Sequence, residues 1–256
     1  MVQQHMAMPQ APELPVQLDE RARVLVFGAT AEARRLADIL APSDEVEVVA
    51  SQAGEFDAAD ALAAYIGELR PAAVVDATNA YADTLTRHVR RACAALSVPR
   101  LRLERPGWTA KPGDDWRFAD DLDQALEMAA AIGRRIFLAV GLIDARLLER
   151  FVDHWFLVRS TGPIADLPVH ARAVRGRGPF RCDDEVELLE GHRIDALVAM
   201  LSGGPSAYAK IEAARELRLP VVMLRRPDPP SGPLATNVAG AIAWIDQVVE
   251  ARRPGG

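Results

Sequence analysis

The sequence predicts an α/β protein built from two doubly wound, Rossmann-like parallel-sheet domains with a cleft between them. Three observations carry that expectation. From Arg21 onward, short β-branched runs alternate with longer helical patterns. The alternation breaks once, between Glu104 and Asp121, where Pro106, Gly107, Pro112 and Gly113 punctuate the chain, and then resumes. In each half a strand runs into a glycine turn that opens a helix, at Gly28 and at Ser202-Gly203-Gly204. With 256 residues, 50 % of them hydrophobic, the chain can fill either one large core or two smaller ones.

In the first half, Arg23–Phe27 reads as a strand and Thr30–Leu40 as a helix. Glu45–Ser51 and Ala58–Leu69 repeat the pair, Ala73–Ala77 and Ala82–Leu96 follow, and Arg100–Leu103 is a fourth strand. In the second half, Asp121–Ala131 is expected as helix, Arg135–Val140 as strand, Leu142–Phe151 as helix and Trp155–Arg159 and Ala171–Arg175 as strands. Asp183 is placed to cap a helix ending near Gly191. Asp195–Leu201, Ser206–Leu217 and Val221–Leu224 continue as strand, helix and strand. A last helix over Ala235–Arg252 presents Val238, Ile242, Ile245 and Val249 on one face. The expected division is a polar tail over 1–20, a first domain over 21–105, a connection over 106–120, a second domain over 121–235 and a terminal helix and tail over 236–256.

Composition narrows the function classes. Thirty basic against 36 acidic residues give a net charge of −6, which does not call for a nucleic-acid partner. Two cysteines, Cys93 and Cys182, exclude a cysteine-rich disulfide scaffold or cysteine zinc cluster, and no metal site is expected. No apolar run reaches the ~18 residues of a membrane span, and residues 1–20 lack an apolar signal core, so a soluble cytoplasmic protein is expected. Nucleophile-elbow, P-loop and His-Glu-x-x-His patterns are absent from the sequence.

Four stretches carry possible chemistry. Gly28-Ala29-Thr30-Ala31-Glu32-Ala33-Arg34 either lets a phosphate approach a helix N-terminus or is a plain tight turn, since only one glycine of the dinucleotide fingerprint is present. Asp76-Ala77-Thr78-Asn79-Ala80-Tyr81-Ala82 puts polar residues and an aromatic at a strand end, where helix capping is the plainer role. Ser202-Gly203-Gly204-Pro205-Ser206 repeats the glycine-turn geometry. Between Arg134 and Arg181 nine arginines face four acids, and Arg175-Gly176-Arg177-Gly178-Pro179-Phe180 is a loop suited either to wrapping an anionic ligand or to solvent.

These residues resemble the precorrin-6A reductase family of cobalamin biosynthesis. The resemblance runs from Arg23 to Trp244 and rests on GATAEAR (28–34), DATNAYA (76–82), LRLERPGW (101–108), HWFLVR (154–159), RGPF (177–180), HRIDALV (192–198), KIEAAREL (210–217) and LPVVMLRRP (219–227). It implies hydride transfer from NADPH to a tetrapyrrole, precorrin-6A or its cobalt form, giving precorrin-6B, with other cobalamin-pathway enzymes as possible partners. It implies that Gly28, Ala29, Thr30 and Glu32 hold the cofactor phosphates, with Ser51 near the adenosine ribose and Thr78 at the nicotinamide edge. Asn79, Tyr81, Arg175, Arg177, Ser202 and Gly203 would meet the substrate, whose carboxylates would account for the arginine excess. The family's His and Pro are replaced by Asn79 and Ala80. Its Thr-Gly-Arg stands here as Val140-Gly141-Leu142, its Thr-Lys-Asn-Ser-Gly as Ala199–Gly203, and Glu55 falls where an arginine could read a 2′-phosphate. A second reading is therefore a degenerate, non-catalytic paralogue that binds a tetrapyrrole or nucleotide.

Overall fold

The computed structural model describes residues 21–51, 59–141 and 143–253. The 1–20 tail, Glu55 and Leu142 lie outside the described residues. Two parallel sheets organise the chain, and every strand pair among the described residues is parallel.

The first sheet contains β1 (Ala22–Phe27), β2 (Val46–Ser51), β3 (Ala73–Asp76), β4 (Arg100–Leu103) and β11 (Leu234–Ala235), in the order β11-β4-β3-β1-β2. Its central strands are apolar on both faces because helices cover both. Helix α1 (Ala31–Leu40) buries Ala33, Leu36 and Leu40 on one face, beside α7 (Val238–Glu250) with Ala241, Ile245 and Val249. Helices α2 (Ala59–Leu69) and α3 (Asp83–Ala95) cover the other through Leu62, Ile66, Val89 and Cys93.

The second sheet contains β5 (Trp116–Ala119), β6 (Arg135–Ala139), β7 (Trp155–Ser160), β8 (Ala171–Arg175), β9 (Ala196–Met200) and β10 (Val221–Leu224), in the order β5-β10-β9-β6-β7-β8. Helix α4 (Leu122–Ile132) packs on one face, and α5 (Cys182–Gly191) with α6 (Ala209–Glu216) on the other. The strand order reverses between β1 and β3 in one sheet and between β6 and β9 in the other. Ligand crevices in doubly wound sheets open at the carboxyl side of such reversals.

Four expectations change. The stretch 106–120, read as connection, carries the edge strand β5, which pairs Trp116–Ala119 with Val221–Leu224; four residues between turn signals leave little period to detect. Leu234–Ala235, placed in the second domain, pairs with Arg102 and Leu103 of the first sheet, so the chain crosses back before α7. The helix expected over Leu142–Phe151 is only a 3₁₀ turn at Ala145–Leu148. There Asp144 takes the Arg146 backbone N–H and guanidinium, a local bonding pattern that competes with a continuing helix. Asp183 does not cap α5, whose N-cap is Arg181; with Asp184 and Glu185 it sits in the first turn, favourable to the helix dipole.

Candidate functional site

The carboxyl ends of β1 and β3 in the first sheet face those of β9 and β10 in the second. The space between is a cavity of about 350 Å³ of empty volume, bordered by Thr30, Glu32, Thr78, Asn79, Tyr81 and Ser202, with Glu104, Arg105 and Arg226.

Gly28 follows β1 with φ +126°, and a Cβ there would lie 2.6 Å from the Ala77 carbonyl carbon and 2.8 Å from the Thr78 nitrogen. Glycine is therefore required by the neighbouring strand's backbone, whatever ligand binds. Ala29 is exposed, and its carbonyl accepts from Arg34. Thr30 caps α1 by accepting from Ala33 N at 3.1 Å, and its hydroxyl donates to the Ala77 carbonyl at 2.8 Å across the β1–β3 crevice. Glu32 pairs with Arg105 at 2.7 Å. A carboxylate at this point opposes a phosphate, so Glu32 acts here as the counter-ion of an arginine. Ser51, at the end of β2, is buried, and its hydroxyl has no partner among the described residues.

Thr78 is buried, with its hydroxyl donating to Asp76 Oδ1 at 2.8 Å, accepting from Arg102 at 2.8 Å and lying 2.9 Å from the Thr86 hydroxyl. It has no donor left for a ligand. Asn79 is exposed, borders the cavity and accepts the Tyr81 N–H on its Oδ1. Tyr81 crosses to the second sheet. Its hydroxyl donates to the Leu224 carbonyl at 2.8 Å and accepts from Leu201 N at 2.6 Å. Burial pushes that hydroxyl up to about 12, over the opposing Leu201 N–H and Arg226 charge. Tyr81 is thus a latch joining the β3–α3 turn to the ends of β9 and β10. Tyr81→Phe should lower stability by about 1–2 kcal/mol, because the Leu224 carbonyl loses its charge-free O–H donor. Urea denaturation measures it, and an unchanged midpoint would remove the latch.

The Ser202 loop is held from several sides. Arg226 donates to the carbonyls of Leu201 (2.5 Å), Ser202 (2.6 Å) and Arg105 (2.6 Å) and to Glu104 (3.1 Å), and Arg105 Nε donates to the Ser202 carbonyl at 3.0 Å. Gly203 is buried at φ +67° against the Pro106 carbonyl, which leaves no room for a side chain. Trp108 Nε1 donates to the Gly204 carbonyl. Arg175 and Arg177 lie elsewhere, exposed at the end of the edge strand β8, about 14 Å in strand spacings from β9. The loop they flank does return, since Gly178 packs against the Ser206 carbonyl.

The clamp residues Glu104, Arg105, Arg226 and Trp108 were not read as site residues from sequence. All four fall inside the motifs LRLERPGW and LPVVMLRRP, which is the signal that could have found them. Lys210 is another. It is buried, donates to the Ala207 carbonyl at 2.7 Å and lies 5.1 Å from the Trp108 ring. Burial, then the charge of Arg159, pushes its ammonium down to about 8, with Glu185 opposing. A folded value below the unfolded one means that the unfolded chain binds more protons between the two. The destabilisation by Lys210 is therefore complete below pH ~8 and is relieved as pH rises toward ~10.5. Relative to Lys210→Met, the protein should gain up to about 3 kcal/mol of stability across that window. Tyr81 and Cys93, whose hydroxyl and thiol burial pushes up to about 12, act in the opposite direction and cancel in the comparison. Parallel denaturant titrations at pH 7.5 and pH 10 check this (pH values roughly bracketing that window); a constant difference would refute it.

The arrangement fits a nicotinamide dinucleotide. The crevice lies at a strand-order reversal, the α1 N-terminus has first-turn amides without intrahelical partners, and Ser51 offers at the end of β2 a buried hydroxyl with no partner among the described residues. Among the described residues no group of three or more His, Cys, Asp and Glu could hold a metal, and no helix is long and apolar enough to cross a membrane.

Residues 52–246 match the family described as "Precorrin-6x reductase CbiJ/CobK". The precorrin-6A reductase of Rhodococcus erythropolis is 39 % identical over 240 residues, covering 87 % of this chain and 97 % of the relative. That of Mycobacterium tuberculosis is 38 % identical over 241 residues, covering 87 % and 97 %. The cobalt-precorrin-6A reductase of Salmonella typhimurium is 25 % identical over 231 residues, covering 80 % and 88 %. A solved structure named CobK precorrin-6A reductase superposes with a TM-score of 0.78 at 34 % identity, covering 89 % of this chain and 97 % of that one. Both sheets, the crossing back to β11 and the facing strand ends thus lie within a span shared almost end to end with these proteins, and the chain belongs to the precorrin-6x reductase CbiJ/CobK family.

Proposed function

We propose that this protein reduces precorrin-6A to precorrin-6B with NADPH, in the cleft between the β1/β3 and β9/β10 ends. The observation that carries the reading is a 39 % likeness to a named precorrin-6A reductase over 97 % of its length. The same comparison favours the metal-free substrate, because the relative named for the cobalt form is only 25 % identical. No observation favours the non-catalytic paralogue.

When bound, NADPH supplies the hydride. The chain supplies position and field. Gly28, Ala29 and Thr30 shape the turn at the α1 N-terminus for the phosphates, and Ser51 offers its hydroxyl to the ribose. Thr78 contributes through the backbone it fixes. Asn79 and the Tyr81 ring border the substrate side, opposite Ser202 and Gly203. Arg175 and Arg177 have no ion pair among the described residues and would meet substrate carboxylates at the rim. Other enzymes of the pathway are partners in the sense that they deliver the substrate and take the product.

The test follows NADPH loss on adding precorrin-6A, with product mass as the second readout; no turnover with either the metal-free or the cobalt substrate rejects the reading. Arg175→Gln with Arg177→Gln should weaken precorrin-6A binding about tenfold at low salt and less at high salt, with NADPH binding unchanged. Wild-type tetrapyrrole affinity in the double variant would take the loop out of the site.

A further inference from the structure

The ion pair between Glu32 and Arg105 stands between two cavities. One is the 350 Å³ cavity at the strand ends described above. The other, about 1030 Å³ of more open space, is bordered by Ala31, Arg35, Pro106, Gly204, Asn237 and Val238. Glu32 and Arg105 line both. The inner cavity alone is far too small to hold a dinucleotide, which needs the two joined.

The partition is built to open. Its side chains are 21 % and 29 % exposed, so the pair is half-buried and still open to a competing ligand from the cavity side. Glu32 sits in the first turn of α1, where the helix offers amides and a positive dipole end to an anion. Arg105 has five N–H donors. Nε goes to the Ser202 carbonyl at 3.0 Å and one hydrogen of a terminal nitrogen to Glu32 at 2.7 Å, leaving three without a partner among the described residues and available to a ligand. A phosphate carries more oxygens than the carboxylate and meets a guanidinium in bidentate fashion.

We propose that the Glu32–Arg105 pair is a displaceable partition: a phosphate of the dinucleotide replaces the Glu32 carboxylate on Arg105 and joins the two cavities into one cleft. This rests on the nicotinamide-cofactor reading above. Glu32 is then an internal competitor of the cofactor, and Arg105 is its phosphate reader. Because Arg105 also holds the Ser202 carbonyl, cofactor arrival is felt by the loop of the second sheet.

The test is calorimetric titration of the full chain with NADPH and with NADH, on the parent, Glu32→Gln, Arg105→Gln and the double variant, each first checked for an unchanged fold by circular dichroism. Glu32→Gln should bind about threefold to tenfold more tightly, since the competing charge is gone while the side-chain volume stays. Arg105→Gln should bind about tenfold more weakly. In the double variant the gain from Glu32→Gln should vanish, because it acts through Arg105. A gain shared by both nucleotides assigns the phosphate to the pyrophosphate, and a gain for NADPH alone assigns it to the 2′-phosphate; either supports the partition. Affinity unchanged or weakened in Glu32→Gln overturns it, as does a gain of the same size without Arg105. Failure of the parent to bind either nucleotide overturns the cofactor reading together with the partition.

Discussion

Gly28→Val is expected to cost about 3–5 kcal/mol of folding stability and to lower the melting temperature by roughly 10 °C. Two effects add. Gly28 has φ +126°, a region that L side chains rarely adopt, and a Cβ there would sit 2.6 Å from the Ala77 carbonyl carbon. The atoms it meets are backbone of the β3 end, which β1 holds in register through Phe27↔Asp76 and which Thr30 holds through its hydroxyl. They cannot turn aside as a flexible side chain would. Gly28→Ala carries the same Cβ without the branch and should fall between the parent and Gly28→Val. Thermal denaturation followed by circular dichroism orders the three. A Gly28→Val protein that melts with the parent would mean that the β1–β3 crevice opens to admit the side chain, and loss of cofactor binding in this variant is not by itself proof of a phosphate contact.

The glycine illustrates what the sequence disclosed and what it concealed. The strand–helix alternation was legible because buried parallel strands such as Val24–Phe27 and Ala73–Val75 are apolar on both faces, while α1 and α7 repeat apolar residues with a helical period. Short elements made by partners rather than by pattern were not. Trp116–Ala119 becomes a strand only because β10 lies beside it, and Leu234–Ala235 only because β4 does. At the site, positions were easier to read than roles. Thr30, Thr78 and Tyr81 do lie at the strand ends, but each hydroxyl gives its proton to the protein, at Ala77, Asp76 and Leu224 respectively. Local sequence cannot report a bond to a residue 143 positions away. The clamp of Glu104, Arg105 and Arg226 was concealed for the same reason, since Arg105 pairs with Glu32 and Arg226 with Glu104 across elements far apart in sequence.

The deepest of those charges should give the other large effect. Arg102 is 2 % exposed and Asp76 is fully buried. One terminal nitrogen of Arg102 donates to Asp76 Oδ1 and Thr78 Oγ1, both at 2.8 Å. Its Nε and other terminal nitrogen donate to Glu104 Oε2 at 3.0 and 2.8 Å. The remaining cation near Asp76 is Arg100, 3.8 Å away, with the facing Asp76 Oδ2 and Arg100 nitrogen unpartnered and burial pushing the Arg100 guanidinium down. Arg102→Leu therefore strands a buried carboxylate with one poorly placed counter-ion and should destabilise by about 3–5 kcal/mol. Lost packing is separated from stranded charge by adding Asp76→Leu. If charge dominates, the double variant recovers part of the loss, since an apolar pair often replaces a buried ion pair at little net change, while Arg100, left without the facing Asp76 carboxylate, limits the recovery. If packing dominates, the double variant is worse than either single one. The effect should also reach the cleft. Glu104 joins Arg102 to Arg226, and Arg226 holds the carbonyls of Leu201 and Ser202. Releasing Glu104 loosens the Ser202 loop, so faster amide exchange around Leu201–Gly204 in Arg102→Leu, under conditions where the protein stays folded, is the signature that the buried network and the cleft are one structure.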